Sequence, residues 1–554
     1  MSLECCDAGR ARDIPITYGA MIDLQDCYRI LGLSPDSSLE DVRRLCSYFE
    51  RHLNPERFYG RPAKKKAAEE LRRVQEARAH LEKARREGEG ARSPTNPPEE
   101  EYARGIDWVR EAADRGIVEA QLQLGDLYAR GEAATRDYRA ALDWYLKAAR
   151  QGCADAKIRI GELYSRGDGV PRDWQEAYEW YLGAAGQESA EARYRLGLMH
   201  HDGRGVPHDC AKALEYFSLA AKQGHAAAIM RLASMYFVGE DTACDINKAR
   251  ELYRQAADMG CPEAQVKLAD IHRGGGAEDQ VLAAELYRAA ADEGYTDAWV
   301  SLGDMYFSGR GLGVPLDPEQ AFKFYRQAAE RGSREAQTRL GWMYMGEGVP
   351  ADPWQAFLWF LRAAGQDSSE ALVGLGDIYC SGSAGCRDSK LAAELYQRAT
   401  VLGNPEAYVR LGNLYSKGQE GDKFNYEMAA KAYEQAHELG SVNGTLRLAQ
   451  LYYDGKGVPF SYAQAASLFL KAAEQGHPEA QLAIGSMIAD GAGVPVDLVQ
   501  AYKWLNIAAT ADEEKSAQEA LLKRDQVGSR MSPQQVATAQ KLASRWWDEH
   551  ARLR

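Results

Sequence analysis

One short pattern, Leu-Gly-x-[Leu/Met/Ile]-Tyr, returns along most of this chain. Its leading residue stands at Leu124, Ile160, Leu196, Leu232, Leu268, Leu302, Leu340, Leu375, Leu411, Leu448 and Ile484. The steps between copies are 36, 36, 36, 36, 34, 38, 35, 36, 37 and 36 residues. A unit of about 36 residues cannot bury an apolar face alone, so such a period demands a stack in which each unit covers its neighbours. In the copy around residue 192, Ala192, Leu196, Met199 and His200 fall at i, i+4, i+7 and i+8, one face of a helix. A Gly/Pro turn follows. A second helix then places Ala213, Phe217 and Ala220 on one face, and Gly224 closes it at the C′ position. Gly197 sits inside the first helix, where glycine costs about 1 kcal/mol relative to alanine. Its return in most copies predicts a close approach between helices.

The flanks read differently. Ile106–Gly116 supplies a lone second helix as a start cap, giving an array over 102–510. Beyond it, 511–554 predicts two capping helices, the last opened by Ser532 as N-cap, Pro533 at the first position and Gln535 completing a capping box. Residues 1–20 carry no periodic pattern and read as disordered, and 87–101 (rich in Gly, Pro, Ser and Glu) as a flexible linker. On that reading the segment before the linker is tethered and not packed on the array.

Net charge is −13, while residues 21–92 hold 16 Lys/Arg against 13 Asp/Glu, so the array itself is acidic. That argues against duplex nucleic acid as its ligand, because phosphate binding needs a basic face. The N-terminus lacks the apolar core of a signal peptide, and no apolar run approaches the ~18–20 residues that span a bilayer. Ten cysteines follow no framework, and Cys380–Cys386 has no companion pair at metal-ligand spacing, so reduced thiols in the cytoplasm are expected.

Residues 21–86 have their own pattern. Asp26–Leu31 predicts a turn of helix ended by Gly32. Leu39, Val42, Leu45, Phe49 and Leu53 mark a second helix, and Ala67, Leu71, Val74, Ala77 and Leu81 the buried stripe of a third. Tyr28-Arg29-Ile30-Leu31-Gly32-Leu33, Glu40-Asp41-Val42-Arg43-Arg44 and Val74-Gln75-Glu76-Ala77 resemble the three helices of a J domain, the DnaJ-type co-chaperone module. In that family a His-Pro-Asp loop, with basic residues of the second helix, stimulates ATP hydrolysis by DnaK-type chaperones. Here the loop is Asn54-Pro55-Glu56, and the basic residues are Arg43 and Arg44. The resemblance implies the fold; the departure, an Asn that cannot titrate and a carboxylate one methylene further out, bears on the activity. Lys64–Lys66 and Arg72-Arg73 interleave with Glu69, Glu70 and Glu76 at helical spacing, predicting a salt-bridged solvent face.

Little in the chain reads as reaction chemistry. Gly167-Asp168-Gly169-Val170-Pro171 follows a helix and lacks Gly-Lys-Ser/Thr, so it is a turn. His200 occupies the anchor tyrosine position and reads as a core residue. No nucleophile–base motif, metal set or cofactor motif is present. One polar pattern stands out. The residue before the anchor is basic at Arg159, Arg195, Arg231, Lys267, Arg339, Arg410 and Arg447, and an acid often follows three residues later, as at Glu162. Such pairs add about 0.2–0.5 kcal/mol each. Arg195, Arg231, Arg339, Arg410 and Arg447 lack that in-helix acid and are candidates for gripping a ligand, with Trp299 and Trp342 as aromatic anchors.

The repeat itself, for example Ala156–Val170 followed by Asp173–Ala185, resembles the Sel-1-like repeat, a relative of the tetratricopeptide repeat. The closing run from Met531 to Trp546 is similar to the last helix of many bacterial members. This implies an all-α, right-handed α/α solenoid, and a non-enzymatic adaptor or scaffold with protein or peptide partners held in a groove of first helices. The J-like module would dock a second partner. The alternative is an active co-chaperone of a DnaK-type chaperone, with the array binding clients. Oligomeric state is left open.

Overall fold

The computed structural model describes residues 24–550 apart from 36, 91–98, 132–135, 240–243, 310–314, 419–423 and 512–513. The expected disorder of 1–20 lies outside the described residues. Secondary structure is helical throughout the described residues. Contacts divide the chain into two compact units, one of residues 83–324 and one of residues 1–82 together with 325–554.

Within each unit the repeats are helix pairs, as the period demands. Ala154–Arg166 and Trp174–Ala185 make a representative pair. The recurring Asp before the second helix is its N-cap: the Asp173 carboxylate accepts from the amides of Gln175 at 2.9 Å and Glu176 at 3.1 Å. The expected close approach is present. A Cβ added at Gly161 would stand 2.6 Å from Tyr181 Cε1, and one at Gly197 2.5 Å from Phe217 Cε1, so the second-helix aromatic lies flat on a bare stretch of the first helix. The turn glycines stack one repeat on the next. Gly169 has φ +72°, and a Cβ there would lie 2.6 Å from Tyr138 Cβ at the start of the preceding second helix. Where the turn motif is lost at Gly274, that residue is right-handed (φ −81°) and the next helix begins at Ala277.

The C-terminal helices Glu514–Gly528 and Pro533–Glu549 cover the last repeat, with Trp546 edge-on to Trp504 at 6.0 Å. The predicted capping box is made: Ser532 Oγ accepts from Gln535 N at 3.3 Å, and Gln535 Oε1 from Ser532 N at 2.8 Å.

The N-terminal segment folds as α1 (Leu24–Leu31), α2 (Leu39–His52) and α3 (Arg61–Gly90). Val42, Leu45, Phe49 and Leu53 face Ala67, Val74, Ala77 and Leu81, the stripes read from the sequence. Within the expected linker 87–101, α3 runs on to Gly90 despite Gly88, and the next helix starts at Glu99. The salt-bridged face of α3 forms as expected, with Lys65–Glu69 at 3.8 Å, Arg72–Glu76 at 3.5 Å and Arg73–Glu70 at 3.1 Å.

One expectation is overturned. The N-terminal segment is not held off the array; it shares a single hydrophobic core with array residues from Trp342 to Tyr415. Phe58 inserts edge-on against Trp354 at 5.5 Å and Phe357 at 5.7 Å. Leu45 lies directly on Gly365, where any side chain would collide with it. A three-helix unit of this size leaves apolar surface uncovered, and burial against the array removes it from water at about 25 cal/mol per Å².

Candidate interaction surface

The first helices of neighbouring repeats pack side by side, and this brings the basic ladder together. Arg159 reaches Asp126 of the preceding repeat at 3.3 Å as well as Glu162 of its own helix at 3.3 Å. Arg195 reaches back to Glu162 at 2.9 Å and holds Glu191 at 2.6 Å. Arg410 reaches Asp377 at 3.2 Å and Glu406 at 3.5 Å. At Asp126, Glu162 and Asp377 the acid two residues past the anchor therefore serves the arginine of the next repeat. Second-helix tyrosines fix the same position: Tyr145 donates to Asp126 and Tyr396 to Asp377, both at 2.7 Å, and Tyr433 to Asn413 at 2.8 Å. Burial opposes the charge of Arg195, but Glu191 and Glu162 outweigh it and hold the guanidinium above its usual pKa. Burial raises Asp377 above the ordinary carboxylate range, offset in part by Tyr396 and Arg410.

The candidate residues thus divide. Arg195 and Arg410 lack the acid three residues on but take one from the preceding repeat, so the premise that they are unpaired is corrected. Arg339 holds Glu335 at 3.6 Å. Arg231 and Arg447 are exposed and make no ion pair among the described residues; Leu198 and Asn413 stand where the preceding repeat would supply the acid. Trp299 is 8% exposed and stacks on Phe324 at 5.6 Å, and Trp342 packs edge-on to Phe360 at 5.0 Å, so both serve the repeat core. His200 is buried between Tyr178 and Tyr216, at 5.8 and 5.7 Å. Cys380 and Cys386 are free thiols, and burial pushes Cys386 up to about 12.

Cavities open on the first-helix face. One of about 190 Å³ lies among Asp126, Arg130, Arg159, Glu162 and Arg166. Another of about 240 Å³ has Tyr453, Leu482 and Met487 as an apolar floor, Glu479 and Asp490 on its rim, and the helix Glu514–Gly528 as a wall. No His/Cys/Asp/Glu group among the described residues is arranged to hold a metal.

In the docked N-terminal unit, Asn54 caps a short 3-10 turn, accepting from Glu56 N at 3.0 Å. Glu56 pairs with Lys64 at 3.0 Å, its side chain still 81% exposed. Arg43 pairs with Glu82 at 3.3 Å. Three arginines turn to acids of the array: Arg44 to Asp367 at 3.5 Å, Arg57 to Asp388 at 3.3 Å, and Arg51 to Glu394. His52, 1% exposed, meets the Tyr379 hydroxyl through Nδ1 at 3.0 Å. The array residues that make this seat, Gly365, Arg362, Gln337 and Gln366, escaped the reading of the sequence. Glutamine recurs at the positions of Gln337 and Gln366 in other repeats, as Gln265 and Gln481 and as Gln223 and Gln475, so neither stood out; Gly365 is the rare residue at its place.

The Sel1 repeat family matches eleven consecutive segments, at 118–153, 154–188, 190–225, 226–261, 262–295, 300–333, 334–368, 369–404, 405–441, 443–477 and 478–513. The chain is a Sel1 repeat protein. Among solved structures it is similar to c5321, a protective antigen of uropathogenic Escherichia coli displaying an SLR fold. Identity is 32%, covering 80% of this chain and 94% of that one, with a TM-score of 0.57. A Sel1 repeat protein from Oxalobacter formigenes is 30% identical over 56% of this chain and 89% of its own, with a TM-score of 0.46. No curated protein matches. Sel1 repeats generally form protein-interaction scaffolds without catalytic activity, and no catalytic family matches this one. No described helix is long and apolar enough to cross a membrane.

Proposed function

We propose that this Sel1 repeat protein is a non-enzymatic adaptor that holds a protein or peptide partner on its first-helix face, with the N-terminal J-like unit as a built-in part of the scaffold. The observation that carries this reading is the face itself. Cavities between neighbouring first helices are rimmed by charge, and Arg231 and Arg447, like Lys267, stand exposed in a ladder whose other arginines are paired. A reducing, cytoplasmic setting suits the eight described cysteines, all free thiols. The test is photo-crosslinking in cells, with benzoylphenylalanine at Arg231 or Arg447 and, as a control, at the exposed second-helix residue Lys222. Protein adducts from the first two positions and none from the third are expected. Equal labelling from all three would overturn the reading.

A second reading, an active co-chaperone, draws support from the loop Asn54-Pro55-Glu56, which remains exposed in the docked unit. Against it, Arg44, Arg51 and Arg57 are committed to array acids. Stimulated ATP hydrolysis by a DnaK-type chaperone in the presence of the full chain would favour it. If stimulation appears only after Asn54→His with Glu56→Asp, the natural loop is inactive.

A further inference from the structure

The array carries a receptor that the chain fills with its own helix end. Gln337 and Gln366 donate to the Gly32 carbonyl at 2.8 and 3.0 Å, and Arg362 Nε donates to Ile30 O at 3.3 Å. The Arg362 guanidinium lies 4.5 Å over Trp359, and its stem lines Gly32. These side chains take the last carbonyls of α1, which a helix leaves without internal donors.

The same four-part set stands in one other repeat, as Gln121, Trp144, Lys147 and Gln151. Gln121 and Gln337 both precede the anchor leucine by three residues, and no other repeat has glutamine at this position and at the end of its second helix. The amide framework is the same. Gln337 donates to Ala329 O at 3.2 Å, and Gln121 to Ala113 O at 3.1 Å. Gln366 donates to Gln337 Oε1 at 2.9 Å, and Gln151 to Gln121 Oε1 at 2.8 Å. Gln366 reaches Gly332 O at 3.4 Å, and Gln151 Gly116 O at 3.1 Å. Lys147 Nζ lies 3.4 Å over Trp144.

What differs is the cover. The Arg362 side chain is 13% exposed and Gln366 is half-buried, whereas Lys147 and Gln151 are exposed. A Cβ on Gly332 would stand 2.6 Å from Ser34 N; one on Gly116 would meet nothing within 4 Å. Gln121 is 4% exposed, and its second amide hydrogen has no acceptor among the described residues, where Gln337 uses its own on Gly32.

We infer that Gln121, Trp144, Lys147 and Gln151 form a second receptor for a helix C-terminus closed by glycine, this one supplied by another protein. The rim is matched as well. Arg29, in the last turn of α1, shares a cleft of about 470 Å³ with Glu330 and Arg331. Asp114 and Arg115 hold those positions at the second receptor, so the rim keeps the same acid and base side by side. A second copy of the whole N-terminal unit does not fit, because Arg150 replaces the Gly365 on which Leu45 rests. The inference rests on the reading that the array binds proteins, and adds to the first-helix face a site at the end of one second helix.

A fluorescein-labelled peptide of residues 24–35, titrated with the full chain under reducing conditions, tests it by anisotropy. A short helix orders only on binding, so a one-to-one Kd of roughly 0.1–1 mM is expected. Lys147→Glu with Gln151→Ala, both at exposed positions, should weaken it at least tenfold, as should Gly32→Val in the peptide. Absence of binding up to 1 mM, or binding unmoved by the double substitution, overturns the receptor. Cross-links from Arg231 or Arg447 with no peptide binding would leave the broader reading standing and sink this one. Peptide binding without those cross-links does the reverse.

Discussion

Gly161 shows how much of a repeat hangs on one absent side chain. Alanine there would gain about 1 kcal/mol of helix propensity, yet its methyl would meet Tyr181 at 2.6 Å. The collision wins: Gly161→Ala should destabilise the unit by about 1–3 kcal/mol, as overpacked cores do, read as a lower urea midpoint. Glu191 offers a pH handle. Burial pushes its carboxyl up, but His225 at 2.7 Å and Arg195 at 2.6 Å hold it below the ordinary 4.5. The folded state then binds its proton less readily than the unfolded chain, so this contribution is full above 4.5 and is lost as pH falls further. Glu191→Gln should flatten the dependence of thermal stability on pH below 4.5. The glycine was legible in the sequence because it recurs; the arginine ladder was legible only in part. Spacing along one helix exposes the Arg159–Glu162 pair. Nothing in it says that Arg195 will reach Glu162, 33 residues earlier, because that depends on how far apart stacked helices lie.

At the scale of elements, the helices of the N-terminal unit followed from its apolar stripes, and its docking did not. The docking face is made of residues that look ordinary on α2, among them Leu45, Tyr48 and His52, and of a glycine that occurs at its position in few repeats. Phe58→Ala should cost the docked unit about 3–5 kcal/mol and expose α2 to hydrogen exchange. His52 makes the same contact sensitive to acid. Burial, followed by Arg51, Arg57 and Arg398, depresses its pKa from 6.5 to about 3. A released His52 takes up a proton below 6.5 and a docked one does not, so docking is strongest above that value and weakens as pH falls toward 3. Exchange in 39–52, corrected for intrinsic rate, should rise between pH 7 and pH 5 in the natural chain and stay level in His52→Gln.

Over the whole molecule two kinds of contact coexist. Repeats touch their neighbours at separations near 36 residues, whereas Gly32 meets Gln337 and His52 meets Tyr379 across 305 and 327. Local contacts form fast and distant ones carry the cost of closing a long loop. Refolding should therefore show an early phase of helix stacking and a slower one that buries Phe58, with Phe58→Ala removing the slower phase alone. A change in helical signal that is equally slow throughout would contradict this order.

The seat of Leu45 on Gly365 also sets a clock. A chain is made from its N-terminus at about 5–20 residues per second, so the three-helix unit, complete at Gly90, is made about 275 residues before Gly365. For roughly 15–60 s of every synthesis, Leu45 and Phe58 lack the array residues that will cover them. Translation speed between residues 90 and 365 is thus a determinant of how safely this protein is born.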